Sequence, residues 1–285
     1  MELEKTSMET SDYQHIKFSV LMSVYKKENP EWFRLAVDSV LNQTIKPTEV
    51  LIVQDGVLTD ELYTVCKEVE KDYPDVIRYL SLKENCGLGV ALQKGVLACK
   101  YELIARMDTD DVSVPDRFER QLKEFMANPD LCLCGGYIQE FNNNQDEIVS
   151  MRKVPITLDE ITTFGKRRNP FNHMTVMFKK TAVVSAGNYQ PFLLLEDYYL
   201  WYRMIKNKYM MKNIPHILVK ARIGNGMVDK RGGYQYFKKE KRLCKIFYDD
   251  GYITYIEYLV YLFCRFASRI LPAKIRKVCY QYVLR

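Results

Sequence analysis

From Phe18 onward the chain alternates short, wholly apolar runs with longer stretches in which apolar side chains return every three or four residues. Phe18-Ser-Val-Leu-Met-Ser-Val24 has the length of a buried strand, and Phe33, Val37, Val40 and Leu41 then share one face of a helix that starts at Glu31 and closes at Asn42-Gln43-Thr44. Glu49 to Val53 predicts a second strand, ending in Gln54-Asp55-Gly56, and Asp60 to Asp72 a second amphipathic helix. Val76 to Ser81 predicts a third strand, followed by Asn85-Cys-Gly-Leu-Gly89 and a helix that ends near Cys99. A fourth strand, Glu102 to Met107, runs straight into Asp108-Thr-Asp-Asp111. Apolar strands alternating with helices predict a parallel α/β sheet covered on both faces. Ligands of such sheets bind at the carboxyl ends of the strands. Tyr25, Asp55 and the Asp108 cluster each follow a strand and are therefore expected on one rim.

Beyond a helix over Pro115 to Asn128 the pattern changes. Leu131 to Gly135, Tyr137 to Phe141 and Ile148 to Val154 read as strands, the last two joined by the turn Asn142-Asn-Asn-Gln-Asp146; Thr175 to Phe178 reads as another. Tyr198 to Lys206 predicts a helix, and the last 50 residues are helical and rich in aromatics, with breaks at Gly251 and Pro272. The expected organisation is a polar tail over 1–16, an α/β body over 17–225 and a helical extension over 226–285, with no internal repeat.

Composition changes this picture in two places. The 285 residues are 47% hydrophobic and 27% charged, which excludes a disordered or low-complexity chain, and the formal net charge is +6. From Arg222 onward, however, there are fourteen Lys and Arg against five Asp and Glu, so a slightly acidic body carries a basic end. The eight cysteines form no CxxC pair and have no histidine at zinc-ligand spacing; most lie in apolar runs, as structural thiols of a reducing compartment do. The first 17 residues lack the apolar core of a signal peptide, and the most apolar stretch, Tyr252 to Leu271, is interrupted by Glu257, Arg265 and Arg269.

Three sets of carboxylates could carry chemistry. Asp108, Asp110 and Asp111 put three like charges in four residues, which needs water or a cation to screen them. They suit a Mg²⁺ or Mn²⁺ ion whose shell is completed by phosphate oxygens, and equally a capping cluster for the helix after Pro115. Asp55 before Gly56 fits a turn residue or a ribose or nucleobase contact. Glu196-Asp197 follows Phe192 to Leu195, where partial desolvation would raise a carboxyl pKa toward that of a general base, and it also fits a helix cap. Gly87, Gly89 and Gly95 have the wrong spacing for a dinucleotide fingerprint, and there is neither a phosphate-binding Gly-Lys-Ser/Thr loop nor a Gly-x-Ser-x-Gly elbow. His173 stands alone and reads as structural.

Taken in order, Phe18-Ser-Val-Leu-Met-Ser-Val-Tyr25, Ser39-Val-Leu-Asn-Gln-Thr44, Val53-Gln-Asp-Gly56, Asn85-Cys-Gly-Leu88, Arg106-Met-Asp-Thr-Asp-Asp111 and Glu196-Asp197 resemble the family 2 glycosyltransferases. The resemblance implies the GT-A fold, a Rossmann-like, mostly parallel sheet, and a nucleotide-sugar donor. It is strongest to bacterial enzymes that build capsule, exopolysaccharide or O-antigen on a lipid carrier. By position it implies that Tyr25 and Asp55 hold the nucleobase and that Asp108 and Asp110 form the Asp-x-Asp motif. In that motif Asp110 binds the metal, and Asp108 contacts the metal or the ribose. Asp197 falls at the catalytic base, with Glu196, Asp111 and Arg203 in support. Arg106 and Arg117 flank the metal motif, where they could orient phosphate or brace the carboxylates. Lys230-Arg231-Gly-Gly233 is a candidate loop over the pyrophosphate, with Arg231 as its donor contact. No Gln-x-x-Arg-Trp motif or membrane-spanning continuation follows, which points to a single addition.

Tyr255 to Arg285 mixes large apolar residues with Arg265, Arg269, Lys274, Arg276 and Lys277, which fits a packing helix with a solvated basic edge and, as the preferred reading, an interfacial helix resting on anionic lipid. That interleaving argues against nucleic acid as a partner. The expected function is therefore metal-dependent, inverting transfer of one hexose, from UDP-galactose or UDP-glucose, to a lipid-linked acceptor on the cytoplasmic side of a bacterial membrane. A sugar-phosphate nucleotidyltransferase and a non-catalytic sugar-nucleotide-binding scaffold are the alternatives.

Overall fold

The computed structural model describes residues 15–192, 194–223 and 233–270. Strands β1 (Phe18–Val24), β2 (Glu49–Gln54), β3 (Ile77–Ser81) and β4 (Leu103–Arg106) are parallel and lie in the order β3-β2-β1-β4. They are joined by helices α1 (Pro30–Leu41), α2 (Asp60–Asp72) and α3 (Leu88–Ala98). Val20, Met22 and Val24 of β1 face a core shared with α1 and α2, while Leu21 faces a second core shared with α3. Burial on both faces is why these strands read as unbroken apolar runs rather than as alternation.

The sheet continues through β8 (Met177–Lys179), β6 (Leu131–Phe141), β9 (Met210–Arg222) and β5 (Val112–Ser113), with β7 (Ile148–Arg152) on the side of β6. In this half only the β6–β9 pair is parallel; β4–β8, β6–β8, β6–β7 and β5–β9 are antiparallel. The sheet is thus mixed rather than parallel throughout. Around it lie α4 (Arg117–Ala127), α5 (Leu158–Gly165), α6 (Lys180–Ser185) and α7 (Glu196–Lys206). Several expectations change here. The two strands expected over 131–141 are one, because Gly135 and Gly136 continue the ladder through register irregularities instead of turning. The strand expected at Thr175 opens instead as a 3-10 turn over His173–Thr175. β9, α5 and α6 have no counterpart in the apolar pattern.

Helices α8 (Gly233–Asp249) and α9 (Tyr255–Ile270) form an antiparallel pair, with Phe237 against Phe266 and Tyr248 against Tyr258. The pair packs on α7 through a third core. There the Tyr202 ring lies 4.4 Å from that of Phe247 and 5.2 Å from that of Tyr252. The Tyr202 hydroxyl donates to Asp250 at 2.5 Å, and the Tyr252 hydroxyl donates to the Thr162 carbonyl at 2.6 Å. Among the described residues no helix is long and apolar enough to cross a membrane.

Candidate active site

Because β2, β1 and β4 are adjacent and parallel, Tyr25, Asp55 and Asp108 leave the sheet on the same edge. The Asp55 N–H donates to the Val24 carbonyl (2.8 Å) and Met107 N–H to that of Leu21 (3.1 Å), tying the three strand ends together. Asp55 is buried. Its carboxylate accepts from the N–H groups of Cys86 (2.7 Å) and Gly87 (3.0 Å) and from the Asn85 amide (3.1 Å), so it builds the loop that leads into α3. Gly56 makes the close approach possible: its φ is +85°, and a Cβ there would lie 2.7 Å from the Asn85 nitrogen. The Tyr25 hydroxyl has a raised pKa, through burial first and then the charges of Glu28 and Asp110, so tyrosine and metal-motif carboxylate share one electrostatic neighbourhood.

The carboxylates after β4 are held by two arginines. Buried Arg106 forks onto Asp108, with Nη1 donating to Oδ2 at 2.5 Å and Nη2 donating to Oδ1. Arg222, at the end of β9, donates its N–H to Asp111 Oδ1 (2.7 Å) and its Nε to the Asp110 carbonyl (3.1 Å). Its guanidinium lies over the rings of Trp32 (4.4 Å) and Phe141 (4.6 Å). Buried Asp111 has a pKa well above the carboxylate range, through burial first and then the charges of Asp110 and Asp108. None of the three carboxylates caps α4, whose N-cap is Asp116, so the capping reading does not hold. Arg117 does not reach phosphate: it is wholly buried and donates Nη2 to the Arg106 carbonyl (2.7 Å) and Nε to Gln121 (3.1 Å), bracing the backbone beneath the motif.

Among the described residues no three His, Cys, Asp or Glu side chains form a ready cage for a metal. Mg²⁺ and Mn²⁺ need less, binding through one or two carboxylates plus substrate phosphates and water. The donor set fits such an ion. Asp108 and Asp110 offer hard oxygens, and the effect of both charges on Asp111 marks negative charge that a cation would offset. The fork from Arg106 uses one direction on each Asp108 oxygen and leaves others open.

The second carboxylate pair begins α7. Leu195 is the N-cap, so Glu196 and Asp197 lie in the first turn rather than capping it. Asp197 is oriented by the Asn169 amide, which donates to Oδ2 (2.6 Å), and by Tyr198 N–H, which donates to Oδ1 (2.7 Å). The raised pKa expected here falls on Glu196. Burial pushes it up to about 6, its own turn's N–H groups oppose this, and Asp197 adds to it; Oε2 has no hydrogen-bond partner. Arg203 donates to the carbonyls of Ala186 (2.6 Å) and Asn188 (2.5 Å), bracing the turn at Gly187. Half-buried His173 pairs with the Tyr189 hydroxyl (2.9 Å), and desolvation drives its pKa far down, so it is neutral. Burial chiefly raises the pKa of that hydroxyl, which also feels Asp197, Glu196 and Asp108, so the two carboxylate groups converge. Arg231 lies outside the described residues.

A cavity of about 590 Å³ opens beside Asp197, lined also by Asn169, His173, Arg222 and, from α9, Tyr261 and Arg265. Sequence reasoning missed Asn169 and Arg222. Asn169 precedes Pro170, a placement that restricts its backbone and was a usable signal. Arg222 gave none, because its partner Asp111 is 111 residues away.

A model described as glycosyl transferase family 2 matches residues 19–187. An uncharacterized glycosyltransferase of Haemophilus influenzae is 44% identical over 270 residues, covering 95% of this chain and 100% of its own. The amylovoran biosynthesis glycosyltransferase AmsE of Erwinia amylovora is 36% identical, covering 93% and 98%. An Escherichia coli UDP-Gal:alpha-D-GlcNAc-diphosphoundecaprenol beta-1,3-galactosyltransferase is 35% identical, covering 94% and 97%. Among solved structures, the mannosyltransferase PcManGT of Pyrobaculum calidifontis, in complex with GDP-Man and Mn²⁺, superposes with a TM-score of 0.60 at 14% identity, covering 91% of this chain and 71% of its own. The fold is GT-A, α/β with C-terminal helices.

Proposed function

The chain belongs to glycosyl transferase family 2 and is a glycosyltransferase, and from that premise we propose that it transfers a single hexose from a UDP-sugar to a lipid-linked acceptor, with inversion, in bacterial surface polysaccharide synthesis. UDP-galactose and UDP-glucose are the favoured donors. The observation that carries the reading is Asp197 at the head of α7, its carboxylate turned by Asn169 toward an open cavity and within electrostatic reach of the same tyrosine as Asp108. Asp197 takes the proton of an acceptor hydroxyl as that oxygen attacks the anomeric carbon and the bond to the nucleoside diphosphate breaks. Tyr25 and the loop built by Asp55 receive the nucleotide, Asp108 and Asp110 would hold the cation, Arg106 keeps the Asp108 carboxylate in place, and Arg222 fixes the Asp110 backbone and the Asp111 carboxylate. A bound Mg²⁺ or Mn²⁺ would neutralise the leaving diphosphate.

The acceptor reading has support from α9. Its outward face presents Ile256, Leu259, Val260 and Phe263, with Ile256 73% and Phe263 75% exposed. Lys238, Lys241 and Arg242 of the neighbouring α8 are exposed as well. An exposed apolar stripe on a helix pair that also exposes lysine and arginine suits the surface of an anionic bilayer, from which a lipid-linked sugar would be reached. Unpaired thiols at all seven described cysteines are consistent with the cytoplasmic leaflet. Family membership displaces the nucleotidyltransferase alternative.

The test is transfer from a panel of UDP-galactose, UDP-glucose, UDP-N-acetylglucosamine and GDP-mannose to a synthetic N-acetylglucosamine-diphosphate-alkyl acceptor, with Mn²⁺ or with EDTA. A β-linked product that forms only with metal and one UDP-hexose is expected. An α-linked product would overturn inversion, full activity in EDTA would overturn the metal, and no transfer at all would overturn this acceptor.

A further inference from the structure

The cavity beside Asp197 carries a charge pattern that the acid–base chemistry does not use. Its lining includes six Arg and Lys against three Asp and Glu, and it contains neither Asp108 nor Asp110. Three of these cations are strung along one backbone segment, residues 167–169. The Asn169 amide orients Asp197, the Asn169 carbonyl accepts from Arg152 Nη2 (3.0 Å), and the Arg167 carbonyl accepts from Arg265 Nη2 (2.7 Å). Arg168, between these two anchor points, also lines the cavity. The file therefore leads from the base outward to α9. At its outer end Arg269 is buried and paired with Glu240 through Nε (2.9 Å) and Nη2 (2.7 Å), while Nη1 has no hydrogen-bond partner.

Arg265 and Arg269 share the single carboxylate of Glu240, so the cavity wall as a whole stays net positive, and guanidinium forks match phosphate oxygens in particular. In the proposed reading the donor phosphates belong at Asp108 and Asp110, which would hold the cation that offsets their charge, and not on this wall. Position on the helix settles what kind of anion fits. Tyr261, Arg265 and Arg269 sit on the inner face of α9, and Ile256, Val260 and Phe263 on its outer face. One helix thus presents cations to the cavity and an apolar surface away from it.

We infer that Arg152, Arg168 and Arg265 hold the diphosphate of a lipid-diphosphate-linked acceptor, fixing its first sugar against Asp197 while the alkyl chain leaves beside the outer face of α9. The inference rests on the lipid-linked acceptor proposed above and adds the chemical group recognised and the residues that recognise it. Recognition of this kind needs no divalent metal, which separates it from the donor site.

The experiment measures calorimetric binding of decyl diphosphate and decyl phosphate to the full chain in EDTA, with and without excess UDP, for the wild type, Arg168→Gln and Arg152→Gln. The expected result is diphosphate bound at least tenfold more tightly than monophosphate, no competition by UDP, and a tenfold or greater loss in either variant. In turnover with an N-acetylglucosamine-diphosphate-alkyl acceptor, the same variants should raise the acceptor KM and leave the donor KM unchanged. Displacement of decyl diphosphate by UDP, equal affinity for the two probes, or indifference to both substitutions would overturn the inference. If the wild type transfers no sugar to any acceptor, the function proposed above falls, and the binding comparison still decides whether the cavity is a diphosphate site.

Discussion

Replacing Glu196 by glutamine tests whether the first turn of α7 holds an ionised carboxylate at a cost to the fold. Glu196 is 5% exposed, and burial pushes its pKa from 4.5 to about 6. A carboxyl that keeps its proton more tightly when folded than when unfolded destabilises the fold once it ionises. Below about pH 4.5 the group is neutral in both states and contributes nothing; the penalty builds as pH rises through about 6 and is complete above it. That displacement corresponds to about 2 kcal/mol. The substitution adds a constant term of its own, because an amide nitrogen replaces an oxygen that has no partner, and an unpaired buried donor costs roughly 1–3 kcal/mol. The difference between the two proteins at one pH therefore mixes two effects. The change in that difference between about pH 4 and about pH 8 isolates the titration. Urea unfolding can be followed through Trp201, which is buried one turn further along the same helix. Relative to wild type, Glu196→Gln should gain about 2 kcal/mol between the two pH values. Parallel stability profiles would refute the reasoning.

Asp197→Asn should lower kcat by about a thousandfold or more, the scale of a lost general base, with the donor KM within threefold of wild type; a comparable rise in donor KM on initial-rate assay would count against the base. Ile256→Glu with Phe263→Glu should reduce sedimentation with anionic vesicles at least tenfold, since burying one such side chain is worth about 2 kcal/mol. Turnover of a short-chain soluble acceptor should be unchanged, and unaltered sedimentation would remove α9 from the membrane. Gly56→Ala should cost about 1–3 kcal/mol in unfolding and weaken UDP binding, because φ of +85° and the Asn85 nitrogen leave no room for a Cβ; normal UDP affinity on calorimetry would show that the loop does not touch the nucleotide.

The parallel half of the fold was legible because β1, β2 and β4 are buried on both faces and write their positions as apolar runs. β9 was not. It contains Lys212, Asn213, Pro215 and His216, and it pairs with β6 across register breaks that no periodicity describes. Helices of eight and six residues, α5 and α6, are too short to establish a helical period. At the site, a triplet of carboxylates directly after an apolar strand announces chemistry by its electrostatic cost alone. What holds it does not, since Arg106 shows only as a charge in a strand and Arg222 reaches Asp111 through tertiary contact. The carboxyl with the displaced pKa was assigned to the right pair, but the shift belongs to Glu196 because the fold buries its side chain, which the sequence does not show.

The aromatic joint between α7 and the C-terminal helices bears on how this enzyme can be altered. Tyr202 and Tyr198 of α7 are covered by Phe247 and Tyr252, and α7 also carries Asp197 at its head. Removing α8 and α9 would strip a core, uncovering Phe192, Leu195, Tyr198 and Tyr202 together with the turn that carries Asp197. The extension is therefore not a detachable module. A chimera that borrows the helices of a relative inherits a mismatched joint unless the aromatic side of α7 is exchanged with them. Exchange of the C-terminal helices between such enzymes is thus expected to require paired changes in two segments that are distant in sequence and share one interface.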